Sequence, residues 1–235
     1  RPRKARCDAR ARVRRRNGEG FLTGATLTDG ARALGIELTT EQVSRLVRHL
    51  DLMDEWGARM NLTGIRDRGQ QLTKHVLDSL SVRPWLRGER VADLGSGAGF
   101  PGIPLAIVEP ARHFALIEST GKKGDFLRHV AGELGLANVE IVQSRAETYR
   151  PPLRFGTVVA RAIGPIADLV RRGAHLVTGG GRLLAMKGRL PEAELTARLN
   201  GWKLAGVHRL AVPGLAEERH LVELCHSHEK SPGND

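Results

Sequence analysis

The chain has 235 residues, 40% of them hydrophobic, which is enough to bury a core and excludes disorder throughout. No run approaches the ~18 uninterrupted apolar residues of a membrane helix, no apolar run follows the basic N-terminus as a secretory signal would require, and Cys7 and Cys225 stand at opposite ends of the chain, a usage that fits neither a disulfide framework nor a structural zinc site. The net charge of +11 and pI near 10.7 favour a polyanionic partner such as nucleic acid.

That charge is unevenly spread. Residues 1–16 hold nine Arg/Lys against one acid, Asp8, which leaves 28 basic and 25 acidic residues for 17–235. Residues 1–30 are Arg-rich, then Gly- and Thr-rich, without apolar periodicity, and read as a disordered basic tail and linker. A helical extension is expected over 31–88. Thr39 and Gln42 have the spacing of a capping box, and Val43, Leu46, Val47, Leu50 and Trp56 recur at helical spacing behind it. A second helical stretch carries Leu72, Val76 and Leu80 on one face and ends around Pro84.

From Val91 the rhythm changes. Short apolar runs at 90–94, 114–118, 138–142, 156–160 and 182–186 alternate with helical segments, among them 121–134 and 165–176. This pattern predicts an α/β fold with a mostly parallel sheet and helices on both faces. Residues 202–212 and 219–225, around Pro213-Gly214, read as a closing antiparallel hairpin. The α/β domain is thus expected over 89–226, with a flexible tail at 227–235.

The sharpest local feature is the run from Val91 to Gly102, in which an apolar strand enters a glycine turn and a helix follows at once. Glycines there permit positive φ and close approach of a ligand to the backbone, and a helix N-terminus offers free N–H groups. Two cofactor classes use such a turn. Gly97-x-Gly99-x-x-Gly102 matches the dinucleotide fingerprint, whereas Asp93-x-Gly95-x-Gly97-x-Gly99 matches the turn that binds S-adenosylmethionine. An acid at the strand end disfavours a pyrophosphate and suits a cofactor bearing sulfonium and ammonium groups, so Asp93 favours the second class. Glu118 ends the next strand about 20 residues after the glycines, where an acid can take two ribose hydroxyls. His75 and Asp78, three apart on a helix, can share one face; they read either as a pocket-edge, substrate-contacting pair or as a structural pair joining the extension to the sheet.

Beyond the turn, several segments occur in a fixed order: Asn61-Leu62-Thr63, His75-x-x-Asp78-Ser79, Asp93 to Leu105, Gly121-Lys122-Lys123 with Phe126-Leu127, Gln143-Ser144-Arg145-Ala146-Glu147, Arg161-Ala162, Met186-Lys187-Gly188 and Glu218-Arg219-His220-Leu221-Val222. With them the chain, from about 40 to 224, resembles the glucose-inhibited division protein B family, S-adenosylmethionine-dependent guanine-N7 methyltransferases of bacterial 16S ribosomal RNA. The resemblance implies a class I methyltransferase (Rossmann-like) fold with an N-terminal helical extension. It implies cofactor contacts at Gly95 and Phe100, with Ser96, Gly97 and Gly99 in the same turn, an adenine position at Ala146 and Glu147, and a place for Arg161 in the cofactor site. It also implies substrate RNA contacts at Lys122, Arg145 and Lys187.

Guanine N7 has an exposed lone pair and no proton at neutral pH. Methyl transfer to it needs orientation rather than a general base, so no catalytic acid, base or metal ligand is assigned. Two readings compete: a nicotinamide-dependent oxidoreductase, and a non-enzymatic RNA-binding or ribosome assembly factor on the same fold. The expected setting is a cytoplasmic monomer that acts on 16S ribosomal RNA in the small ribosomal subunit, away from membranes.

Overall fold

The computed structural model describes residues 24–57, 60–197 and 199–227. The expected tail over 1–23 and the last eight residues lie outside them.

The expected linker gives way to structure earlier than its composition suggests. Residues 24–33 form a helix, α1, which buries Leu27 and Ala31 completely. This corrects the boundary placed at residue 30. Gly30 looks like a linker glycine, yet a Cβ there would stand 2.5 Å from Leu77 Cδ1. It is a packing glycine that lets two helices approach.

Helix α2 (Thr40–Gly57) follows. Its capping box forms as read: Thr39 N–H donates to Gln42 Oε1 at 2.9 Å and Gln42 N–H to Thr39 Oγ1 at 3.2 Å. Gln42 Nε2 also donates to Ile107 O at 3.1 Å, which docks the start of α2 onto the sheet-bound helix α5 (Gly102–Val108). The second helical stretch is not uniform. It opens as α3 (Arg68–Gln71), capped by Asp67, widens into π-helix over Leu72–Leu77, and closes as α4 (Asp78–Leu80). A π segment inside a helix frequently marks a functional site, and this one carries His75.

The sheet has seven strands in the order β3-β2-β1-β4-β5-β7-β6. They are β1 (Arg90–Leu94), β2 (His113–Ile117), β3 (Val139–Val142), β4 (Phe155–Arg161), β5 (Val177–Lys187), β6 (Trp202–Arg209) and β7 (His220–His226). The first five run parallel, and β7 pairs antiparallel with both β5 and β6 as the closing hairpin. Helix α6 (Gly121–Glu133) lies between β2 and β3, and α7 (Ile166–Gly173) between β4 and β5. Because β1 pairs with β2 on one side and β4 on the other, the order reverses beside β1. The crevice at the carboxyl ends of β1 and β4 is therefore where a ligand enters.

The alternating pleat sorts side chains between two cores. Val91, Phe114, Leu116, Val159, Leu184 and Met186 face the core shared with α1–α6. Ala92, Leu94, Ala115, Val158, Ala160, Leu183 and Ala185 face the core under α7. Among the described residues no helix is long and apolar enough to cross a membrane.

Leu27 lies in the first of these cores, so Leu27→Ala is expected to destabilise the fold by about 2–5 kcal/mol through lost burial and a residual cavity. Urea denaturation followed by circular dichroism measures it; an unchanged midpoint would mean that α1 is not part of the cooperative unit.

Candidate functional site

The turn after β1 is built from beneath. Asp93 shares the pleat of Val91 and points into the core on the α1–α6 side. There its Oδ2 accepts the Gly102 N–H at 2.9 Å, fixing the first turn of α5. A Cβ on Gly102 would stand 2.7 Å from that oxygen and 3.0 Å from Leu116 Cγ, so only glycine fits. Gly95, Gly97 and Gly99 all take positive φ, at 71°, 56° and 88°. Ser96 Oγ donates to Asp93 O at 3.0 Å, and the Gly97 N–H to Glu118 Oε2 at 3.0 Å. The other Glu118 oxygen accepts the Thr120 N–H at 2.8 Å.

Burial pushes the Asp93 carboxyl up to about 7, against the Gly102 N–H and the nearby Ser96 hydroxyl, which favour the charge. Its Oδ1 is buried without a hydrogen-bond partner. The sequence assigns Asp93 to cofactor binding; the structure puts it under the turn, with almost no exposed surface.

Phe100 anchors the far side of the turn. Its ring is stacked between His49 of α2 and His75 of the π segment, with centroids 4.6 and 4.8 Å away, and the Arg161 guanidinium carbon lies 5.2 Å from its centroid. Arg161 has the parity of Val159 on β4, so it reaches the extension, where Nη1 donates to Lys74 O at 3.0 Å. Asp78 lies between two arginines, with Oδ2 3.4 Å from Arg161 Nη1 and Oδ1 3.2 Å from Arg219 Nε. Burial raises the Asp78 carboxyl, and the two arginines pull it back. Ala162, next to Arg161, holds a left-handed φ of 57°, a backbone strain of the kind that collects at functional sites.

His75 and Asp78 thus border the Phe100–Arg161 group, but on different partners: His75 Nε2 meets Thr63 Oγ1 at 2.9 Å. At 8% and 3% exposure they present little surface to an RNA strand. Burial holds both His49 and His75 down at about 4, and the Arg161 charge adds to this at His75.

The remaining sequence candidates are dispersed. Glu147 lies in the turn after β3 within 3.3 Å of Arg172 Nε, beside half-buried Ala146. Lys122 and Arg145 are exposed. Lys122 lines a cleft of about 440 Å³ with Glu55, Trp56, Met60 and Asp125, beside the start of α6. Lys187 is set apart. It has the parity of Ala185, opposite to that of Met186, and its Nζ donates to Gly164 O at 2.6 Å and to Glu194 Oε2 at 2.9 Å. Sequence reading gave no role to His49 or Arg219. His49 could have been noticed as a polar residue at helical spacing with Leu46, Leu50 and Met53 on the buried face of α2. Among the described residues no group of three or more His, Cys, Asp or Glu is placed to hold a metal ion.

The crevice fits a sulfonium cofactor. The turn opens at Gly95, where an added Cβ would meet nothing within 4 Å, Glu118 stands at the tip of β2, and a buried Asp93 oxygen beneath the turn has no hydrogen-bond partner. Comparison with known proteins agrees. A family model described as GidB, rRNA small subunit methyltransferase G, matches residues 42–222. The chain is 44% identical over 198 residues to ribosomal RNA small subunit methyltransferase G of Nitrosococcus oceani, covering 84% of this chain and 92% of that one. It is 45% identical over 208 residues to the protein of that name from Aromatoleum aromaticum, covering 86% and 99%. Among solved structures, the glycopeptide N-methyltransferase MtfA complexed with S-adenosyl-L-homocysteine shares the fold with a TM-score of 0.53 at 14% identity, over 65% of this chain and 87% of that one.

The buried histidines set a pH dependence. Between pH ~6.5 and ~4 the unfolded chain takes up a proton at each of them that the folded chain refuses. Stability therefore falls as pH drops through this window, by up to roughly 3 kcal/mol per histidine. Asp93 acts in the opposite sense, because its folded form keeps a proton from about 4 up to about 7; Asp93→Asn should steepen the acid loss. Urea midpoints from pH 4.5 to 7.5 test this: the His49→Gln/His75→Gln pair should flatten the slope, and an equally steep loss in that pair would refute the assignment.

Proposed function

The chain belongs to the GidB family, rRNA small subunit methyltransferase G, and from that premise we propose that it transfers a methyl group from S-adenosylmethionine to N7 of a guanine in 16S ribosomal RNA. The observation that carries the reading is the glycine turn clamped by Asp93 and Glu118 at the sheet's switch point, within a chain that matches the family from 42 to 222.

S-adenosylmethionine supplies an electrophilic methyl group. The chain's own residues bind and orient. Glu118 takes the ribose hydroxyls, Ala146 and Glu147 border the adenine, and the glycine turn cradles the amino-acid end, with Asp93 balancing its positive charge through the floor of the turn. Arg161 fixes the wall between Phe100 and the helical extension. N7 needs no base, and the rate comes from holding its lone pair in line with the methyl group. N7 faces the major groove, which in A-form RNA is too deep and narrow for side chains, so the target guanine is presented unpaired or flipped. Lys122 and Arg145, both exposed, hold backbone phosphates, and the cleft beside Lys122 gives the strand room. Lys187 joins them only by exchanging Glu194 for a phosphate. A monomer acting on the small subunit leaves this face open.

The decisive experiment is labelled methyl transfer to small subunits from a strain that lacks the gene, with the base identified by digestion and mass spectrometry. One 7-methylguanine is expected; cofactor binding without transfer to RNA would favour the assembly-factor reading.

Lys122→Ala is expected to weaken RNA binding across sequences and reduce the salt slope of log K by about 1, while cofactor affinity holds. Filter binding at several salt concentrations measures this, and an unchanged slope would remove Lys122 from the phosphate contacts.

A further inference from the structure

From α2 the helical extension reaches the cofactor turn through His49. His49 lies midway along α2 with no exposed surface. Its Nε2 is 2.8 Å from Ala98 O. A carbonyl only accepts, so Nε2 carries the proton and donates. The ring stacks on Phe100. Between those two residues, a Cβ on Gly99 would come within 3.2 Å of Nε2. One imidazole therefore bonds Ala98, stacks on Phe100 and occupies the space a side chain at Gly99 would need.

We infer that His49 is a positioning residue for the cofactor turn. It acts through the Ala98 carbonyl and the Phe100 ring, and touches neither cofactor nor RNA. The Ala98 carbonyl could point elsewhere on a glycine-flanked turn, since Gly97 and Gly99 both take conformations open to many alternatives. The hydrogen bond selects one orientation and so sets the direction of the neighbouring N–H groups on the crevice side. On this view the extension, an addition to the sheet domain, completes the site for the methyl donor. The inference rests on the reading that this turn holds S-adenosylmethionine.

Two variants separate the bond from simple filling of space. His49→Phe keeps a ring against Phe100 and removes the donor, leaving a buried carbonyl unpaired. His49→Gln keeps an amide donor and removes the ring. Calorimetric titration with S-adenosylmethionine and S-adenosylhomocysteine reads affinity directly, and initial rates on small subunits give KM for each substrate. His49→Phe is expected to weaken cofactor binding about tenfold and raise the KM for S-adenosylmethionine in step, with the KM for RNA unchanged. His49→Gln is expected to recover to within about threefold of the parent. Equal affinity in all three proteins would overturn the inference. So would a parallel rise in both KM values, which marks a core residue whose loss loosens the whole fold, or a His49→Gln no better than His49→Phe. If the parent protein itself binds neither ligand, the methyltransferase reading fails and takes the inference with it.

Discussion

Everything at the crevice depends on a close approach between the end of β1 and the start of α5. The Asp93 carboxylate reaches across nine residues to the Gly102 N–H, and the distance is set by a glycine that leaves no room for a Cβ. With those two points pinned, Gly95 to Phe100 must arch outward over the carboxylate. The arch puts Gly95 at the open face, Gly97 against Glu118 and Phe100 against the extension. A hydrogen bond to a buried carboxylate gains strength from the low local dielectric, and the same burial penalises the charge by more than that bond and the Arg161 charge restore. The clamp and the raised Asp93 pKa are thus two results of one placement.

The pleat of the sheet divides the remaining work. Side chains two apart on a strand share a face, so Arg161 is committed to the extension and Lys187 to the side of Gly164 and Glu194. Positive charges that look alike in sequence therefore serve different ends. Arg161 holds Asp78, Lys74 O and the Phe100 ring in one buried group. Lys187 is already neutralised by an internal carboxylate. Lys122 and Arg145, by contrast, stand out in solvent where a phosphate can reach them.

Much of this was legible in the residues, and the exceptions have physical causes. Alternation and short apolar runs located β1 to β4 to within a residue or so, because buried parallel strands are nearly continuous apolar segments. β5 begins at Val177, five residues earlier than read, since Gly179-Gly180-Gly181 carries no side-chain pattern. α1 reads as linker for a similar reason: Gly30 there serves helix packing. The glycine turn and Asp93 could be found from spacing along one strand and one turn, and Glu118 from its place at the end of the next strand. Strand parity relative to a distant helix is not written in local sequence, so neither the Arg161–Asp78–Arg219 group nor the separation of Lys187 could be foreseen. His49 was missed because a lone histidine on an apolar face usually reads as core.

The stacked group His49–Phe100–His75 draws on three segments separated by about 25 residues each. Such a group has no local folding unit of its own. The turn cannot lose its shape without releasing α2 and the π segment, and neither helix can lift away without exposing the turn. Opening of the crevice floor is thereby merged with opening of the larger helical layer, so the hydrogen-bonded amides of Gly97, Gly99, Phe100 and Gly102 should exchange with solvent only through that rarer, larger event. A glycine-rich loop, ordinarily among the most easily opened parts of a protein, is placed within one of its cooperative units.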